Sequence, residues 1–227
     1  MPNPPEKHIP YHTVLEGLRG AAECPFCALE AEGQTRYLDA LLYESVNDPD
    51  VRAALRKSRG CCVRHARLLV ERRDAFAAAI LLADQVQGLM EFLADLEARP
   101  PRRTRPAAAA LWESHALCPA CRNQWQERER HAQVLIDWLS DDEMRAAFEA
   151  APALCVPHFL HLLDKTRVEK ARLFLLDTQR QKCAGVLDEL REFIRKHDYR
   201  FTQEGFGKEG DSWLRAAAIL SGKKEVF

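Results

Sequence analysis

One four-residue knuckle occurs twice in this chain. Cys24-Pro25-Phe26-Cys27 returns as Cys118-Pro119-Ala120-Cys121, and each copy is followed by a Cys-x-x-His, at Cys62-Val63-Arg64-His65 and at Cys155-Val156-Pro157-His158. The gaps are nearly equal, 34 residues from Cys27 to Cys62 and 33 from Cys121 to Cys155. The flanks repeat as well: Asn47-Asp-Pro-Asp-Val-Arg-Ala-Ala-Leu55 reads without a gap against Ser140-Asp-Asp-Glu-Met-Arg-Ala-Ala-Phe148. The same offset carries Cys62 onto Cys155 and His65 onto His158. It leaves Cys61 opposite Leu154, so Cys61 reads as an apolar neighbour and Cys62 as the ligand.

Two sulfurs separated by two residues can reach one metal ion, and Cys-x-x-His on a helical turn supplies two further donors on one face. The spacing therefore assigns one Cys3His set to each repeat: Cys24, Cys27, Cys62 and His65 in the first, Cys118, Cys121, Cys155 and His158 in the second. Cys3His is a common closed tetrahedral set for Zn2+, which makes two zinc ions per chain the leading cofactor reading. Three thiolates and an imidazole also suit an iron–sulfur cluster, which stays open as the alternative. Three thiolates on Zn2+ leave a local charge of minus one, which Arg59, Arg64 and Arg67 could offset at the first set and Arg122 at the second. A catalytic zinc keeps an open position, so four protein donors argue for a structural ion. A thioredoxin-like dithiol requires a βαβ setting absent from the pattern. Four disulfides would suit a small, loop-rich secreted domain better than a long helical chain.

Elsewhere the periodicity is helical throughout, with no sustained alternation of period two. An irregular arm over 1–10 precedes a first repeat over 11–98, a Pro/Arg linker over 99–110 and a second repeat over 111–198. A tail over 199–227 packs back through a short helix from Ser212 to Leu220. The apolar stripe of the first long helix is Phe76, Ile80, Ala83, Val86, Met90, Leu93 and Leu96. In its counterpart Leu175, Leu176, Cys183, Val186, Leu187, Leu190 and Ile194 should face inward. Asn47-Asp48-Pro49 opens one short helix, and Ser140 with Glu143 has the spacing of a capping box for the other. The fold expected is all-α, a helical bundle of two pseudo-symmetric repeats, each with a Cys3His knuckle.

Several other signals weigh less. Gly205, Gly207 and Gly210 fit a dinucleotide fingerprint on paper but follow no strand; Lys208, Ser212 and Arg215 could hold an anion. Arg99, Arg102, Arg103 and Arg105 form a basic cluster without aromatic residues to stack on bases. His115 and His161 could substitute for, or support, the ligands. Cys183 reads as packing. His197-Asp198-Tyr199-Arg200 reads as a cap that anchors the tail. The 33 Lys and Arg against 34 Asp and Glu create no global field for nucleic acid or an anionic membrane. Lacking an apolar leader and any run of about 18 apolar residues, the chain reads as soluble, cytoplasmic and bacterial in style.

The twin Cys-Pro-x-Cys and twin Cys-x-x-His stand beside Leu41-Leu-Tyr-Glu-Ser-Val-Asn-Asp-Pro49, Arg64-His65-Ala66-Arg67, and Phe193-Ile-Arg-Lys-His-Asp-Tyr-Arg-Phe201 with Asp211-Ser-Trp213. Together they resemble an uncharacterised bacterial family catalogued as a domain of unknown function, over nearly the whole chain. That resemblance implies one architectural unit and carries no catalytic residue. The function expected is a metal-binding helical scaffold that presents a surface to a protein partner. Its alternatives are an iron–sulfur redox protein or sensor, and an enzyme with a site between the repeats. Oligomeric state is left open.

Overall fold

The computed structural model describes residues 7–98, 107–113, 116–224 and 226–227, and among them it contains eleven α-helices and no strands. In order these are α1 (Ile9–Gly20), α2 (Pro25–Tyr43), α3 (Pro49–Lys57), α4 (Val63–Glu71), α5 (Ala75–Ala98), α6 (Ala108–Glu113), α7 (Pro119–Asp137), α8 (Asp142–Ala150), α9 (Val156–Lys165), α10 (Glu169–Lys196) and α11 (Ser212–Ser221). Two 3-10 turns, Tyr199–Glu204 and Lys208–Asp211, join α10 to α11. The linker arginines Arg99, Arg102, Arg103 and Arg105, and His115, lie outside the described residues.

The chain divides into two compact units: one comprises the chain up to Ala31 together with Glu127–Phe227, the other Glu32–Gln126. The boundaries fall inside α2 and α7, not at 99–110. In the first unit Tyr11, Val14, Leu15 and Leu18 of α1 pack with Phe26 and Leu29, with Leu135 of α7, with Met144 and Phe148 of α8, and with Leu162 and Leu175. In the second unit Leu38, Leu41 and Leu42 of α2 meet Leu55, Leu69, Ala77, Ala78 and Leu81, together with Cys118 and Ala120.

Local chemistry sets where the helices begin. Asp48 accepts from the amides of Asp50 and Val51 at 2.8 and 3.1 Å, and Pro49 follows in the first turn, where its missing N–H costs nothing. At α8 the cap is Asp141, which accepts from the Met144 amide at 3.0 Å, and not the Ser140–Glu143 box the spacing suggests. A carboxylate at position 141 reaches that amide directly, leaving Glu143 to take Lys7 at 3.0 Å, Arg19 at 2.9 Å and the Tyr11 hydroxyl at 3.1 Å. After α3 the chain reverses through Arg59 (φ 54°) and Gly60 (φ 91°), with the Gly60 amide donating to Leu55 O at 2.8 Å in a left-handed helix cap. The strain at Arg59 is held in place from outside. Its guanidinium lies over both Phe92 (4.7 Å) and Trp112 (4.5 Å), whose rings meet edge to face, and donates to Leu111 O at 2.8 Å. This turn delivers the chain to Cys62.

The two long helices depart from the faces expected. On α5 the buried residues are Ala77, Ala78 and Leu81, whereas Phe76 and Met90 are 79% and 59% exposed. That helix is apolar nearly all round, so its pattern selects no face. An ion pair selects it instead: Asp84 takes Arg52 of α3 through two bonds of 2.7 and 2.6 Å. On α10 the expected face holds in part: Leu175 is buried, with Thr178 and Gln179, and Cys183, Val186 and Leu190 are half-buried, whereas Leu176, Leu187 and Ile194 are exposed. Gln179 again acts as the anchor, accepting from the Leu154 amide at 3.1 Å and donating to Leu154 O at 2.7 Å. A buried backbone segment left without those bonds would cost stability, so they outweigh the apolar stripe.

Phe148 has no exposed surface, packs 6.0 Å from the Phe174 ring and lies under the Lys182 ammonium at 4.5 Å. Phe148→Ala should lower unfolding free energy by about 3–5 kcal/mol in urea titration. A loss below about 1 kcal/mol would mean that this core is not packed as described.

Candidate metal centres

All four sequence motifs fall on helix starts. Cys24 immediately precedes Pro25 of α2, and Cys118 immediately precedes Pro119 of α7. Cys62 and Cys155 are the N-cap residues of α4 and α9. In each case the second donor, Cys27, Cys121, His65 or His158, stands three residues later, in the first turn and on the same side. Each pair of donors therefore sits at the positive end of a helix dipole, where thiolate charge is favoured.

The structure brings these pairs together crosswise. One group is Cys24, Cys27, Cys155 and His158, inside the first unit; the other is Cys62, His65, Cys118 and Cys121, inside the second. The eight residues are those read from the sequence, but the grouping within each repeat, Cys24 and Cys27 with Cys62 and His65, and Cys118 and Cys121 with Cys155 and His158, is corrected. The reason is the reach of the chain. After Cys27 the remaining 16 residues of α2 carry it about 24 Å outward, and the nine of α3 return only about half of that. The second half repeats the pattern, with 16 residues of α7 after Cys121 and nine in α8. The helices by themselves bring neither Cys-Pro-x-Cys back to its own downstream Cys-x-x-His.

In the first group Cys27 Sγ lies 3.6 Å from Cys155 Sγ, and the His158 Nδ1 lies 3.6, 3.4 and 3.1 Å from the sulfurs of Cys24, Cys27 and Cys155. In the second, Cys62 Sγ is 3.6 Å from Cys121 Sγ, and His65 Nδ1 is 3.2, 3.7 and 3.3 Å from Cys62, Cys118 and Cys121. Donors around one zinc ion, with bonds of about 2.3 Å to sulfur and 2.0 Å to nitrogen, are separated by about 3.5–3.8 Å. The observed spacings are those of a single-ion site.

The residues behind the histidines differ between the groups. Glu30, buried, accepts at Oε1 from His158 Nε2 at 2.6 Å and takes Arg128 through two bonds of 2.6 and 2.8 Å. The carboxylate orients the ring so that Nδ1 faces the sulfurs, the arrangement known from metal sites with a carboxylate behind the histidine. In the second group the Gln34 amide oxygen, at 3.1 Å, does this for His65 Nε2, and Arg64 donates to Gln124. The offsets match: Glu30 and Gln124 each stand three residues after the knuckle, and Gln34 and Arg128 each stand seven after it. A charged pair in one centre is replaced by two amides in the other.

Titration follows the same geometry. Burial pulls the His158 imidazole down, but bonds with Cys155, Cys24 and Glu30 overcome it and push its pKa up to about 11. Bonds from Cys155 and Cys27 hold the Cys24 thiol well below its ordinary range, and bonds to Cys155 and Cys24 drive Cys27 far above it. In the second group Cys61 bonds to Cys118 and, against burial, lowers it to about 3; burial and the Cys118 charge raise Cys121 to about 12. Negative charge is favoured on Cys24 and on Cys118, while Cys27 and Cys121 are held toward their protonated form. A dication would displace those protons.

The first centre is closed by the end of the chain. The Phe227 ring stands 5.0 Å from the His158 ring and under the Arg128 guanidinium at 4.6 Å, and Phe26 covers another side at 5.8 Å. Gly222, at φ +77°, allows this turn; a Cβ there would come within 2.5 Å of Phe227 and 3.3 Å of Cys155 Sγ. The sequence offered no signal for this lid or for Glu30 and Arg128 beyond their offsets from the knuckles. In the second centre Cys62 and Cys121 are only partly buried.

The remaining candidates do not join either group. His161 Nε2 lies 3.1 Å from Glu129. Cys183 only accepts from Gln179, at 3.7 Å. The Arg59 guanidinium is taken up by the faces of Phe92 and Trp112 and the Leu111 carbonyl. Lys208 and Arg215 both pair with Glu189, at 3.2 and 2.5 Å, and Arg215 also takes Asp211, so the proposed anion cradle is filled by carboxylates. His197 forms a three-ring cluster with Phe193 (4.3 Å) and Phe206 (5.0 Å), and Asp198 caps the 3-10 turn through the Arg200 amide, as an anchor for the tail would.

Crosswise grouping has a measurable signature. Cys27→Ser with Cys155→Ser should remove one metal equivalent, since both residues serve one centre, whereas Cys27→Ser with Cys62→Ser should remove two. The opposite pattern in elemental analysis would restore grouping within repeats. Glu30→Gln should weaken the first centre's hold on its metal about 10–100-fold in chelator competition and leave the second unchanged. An equal effect on both would show that Glu30 acts through general stability.

A family model described as a family of unknown function (DUF6062) matches residues 7–226. The "Uncharacterized 23.9 kDa protein in xynA 3'region" of Caldicellulosiruptor sp. (strain Rt8B.4) is 25% identical over 206 residues, covering 88% of this chain and 95% of the relative. No solved structure matches the chain.

Proposed function

The chain belongs to this family of unknown function, whose description names no reaction, and from the two ligand groups themselves we propose a zinc-binding helical scaffold that holds two structural ions and works through protein contacts. The observation that carries the reading is the spacing of 3.1–3.7 Å between donors in both groups. One tetrahedral ion fits that spacing. A cluster interposes several iron and sulfide atoms between its cysteines and would hold them further apart, so the iron–sulfur alternative is disfavoured by the same distances.

Three thiolates and one imidazole select zinc among the common divalent ions by softness and geometry. Four protein donors close the coordination sphere and leave no position for a substrate or activated water. Cys24, Cys27 and Cys155 with His158 Nδ1 would hold one ion, and Cys62, Cys118 and Cys121 with His65 Nδ1 the other. The residual charge of minus one at each is met by two helix N-termini, with Arg128 adding to the first. An ion in such a place pins two helix starts to each other, so metal loading is part of folding. A protein whose ions serve its architecture acts through the surface they hold in shape, which makes another protein the ligand class proposed.

Protein purified without oxygen or added metal should contain two zinc per chain and show no visible absorption. Stripping the zinc with a chelator should cost on the order of 10 kcal/mol of folding energy per ion and lower the melting temperature sharply. Iron with acid-labile sulfide and a charge-transfer band would overturn the zinc reading. Zinc that can be removed without changing the melting curve would overturn the structural role.

A further inference from the structure

We infer that α5 is the self-association surface of this protein and pairs antiparallel with α5 of a second copy. On the side away from Ala77, Ala78 and Leu81, the helix presents Phe76, Ala79, Ala83, Val86, Met90 and Leu93, all exposed. Their spacing alternates three and four residues, which is the 3.5-residue period of a seam for one other helix. Leu82 and Leu89, also exposed, border the seam along one side, at the positions that flank a two-helix contact. The seam runs along a helix of 24 residues, about 36 Å.

The occupant follows from the order of sizes and charges along the seam. The first half carries Phe76 with the small Ala79 and Ala83, and the second half carries Val86, Met90 and Leu93. Run antiparallel about a two-fold axis between positions 84 and 85, the seam matches itself: Phe76 meets Leu93, Ala79 meets Met90 and Ala83 meets Val86. Each small residue then faces a larger one, as close helix packing requires. Charge agrees with the same direction. Arg72 and Arg73 precede the helix, its second half carries Glu91, Asp95 and Glu97, and no basic residue lies between Ala75 and Ala98. Antiparallel pairing sets the acid-rich second half of one copy against the start of the other, where Arg72 and Arg73 are balanced by Glu71 and Asp74, with the helix dipoles opposed. Parallel pairing would set acid against acid.

A lipid surface is the competing occupant, because by length and composition α5 could cross a membrane and only 17% of its most apolar window is buried. Against that, Asp84 and Arg52 are joined at the middle of the helix, and the second half is flanked by acids that an anionic membrane would repel.

The test is sedimentation equilibrium of the full, metal-loaded chain at tens of micromolar. The expected mass is twice the chain's 25.9 kDa. Val86→Glu with Met90→Glu, which puts like charges across the two-fold axis, should halve that mass while metal content stays at the wild-type value. Glu97→Arg alone should weaken association, and Arg72→Glu in the same chain should restore it. A wild-type monomer throughout, or a dimer that persists in the Val86→Glu, Met90→Glu chain, would overturn the proposal. So would a monomer that co-sediments with phosphatidylcholine vesicles and loses that binding in the same variant, which would give the seam to lipid.

Discussion

Two helix N-termini facing each other around four soft donors are the constraint on which the rest of this structure depends. A helix start leaves backbone N–H groups without partners and carries a partial positive charge. Directing two such starts at each other would ordinarily be repulsive. Here three cysteine sulfurs occupy the space between them, and thiolate charge is favoured there by the same dipoles. The motifs explain how this is reached with few residues. Proline directly after Cys24 and Cys118 is compatible with the first helical turn, and in all four motifs the second donor follows at the interval that stacks side chains on one helix face.

The two centres share this plan and differ in what lies behind it. In the first, Glu30 and Arg128 form a buried charged pair against His158, and Phe227, Phe26 and Val226 exclude water. In the second, amides replace both charges and two of the sulfurs are partly exposed. A carboxylate behind a ligating imidazole raises its basicity, and exclusion of water slows exchange. An ion placed in the first group would be held more tightly than one placed in the second, a difference that arises from changes at positions three and seven residues beyond each knuckle.

The ligands were legible in the sequence and their partnership was not. Identity and spacing of Cys24, Cys27, Cys62, His65, Cys118, Cys121, Cys155 and His158 are local facts, since each motif needs only one helical turn to present its two donors. Partnership depends on where the intervening helices lead. A gap of 34 residues looks the same whether it folds back on itself or runs outward, and only the straight length of α2 and α7 decides. The repeated flanks made grouping within each repeat attractive because similar halves suggest self-contained halves. Two similar halves can equally exchange their knuckles, and in both a 19-residue helix followed by one of nine residues favours that arrangement.

Helix faces show the same limit from another side. On α1 apolar and polar residues separate cleanly, and the apolar Val14, Leu15 and Leu18 are the buried side, joined by Tyr11. On α5 apolar residues are too numerous for the pattern to choose, and one bidentate ion pair between Asp84 and Arg52 turns Ala77, Ala78 and Leu81 inward. On α10 the choice falls to Gln179 and its two bonds to Leu154. Where apolar content is in excess, polar anchors set the rotation of a helix, because leaving them buried and unpaired costs more than exposing a few side chains. The apolar residues displaced from the core remain on the surface as an ordered stripe. On α5 that stripe has the period of a partner helix and is complementary to itself when reversed.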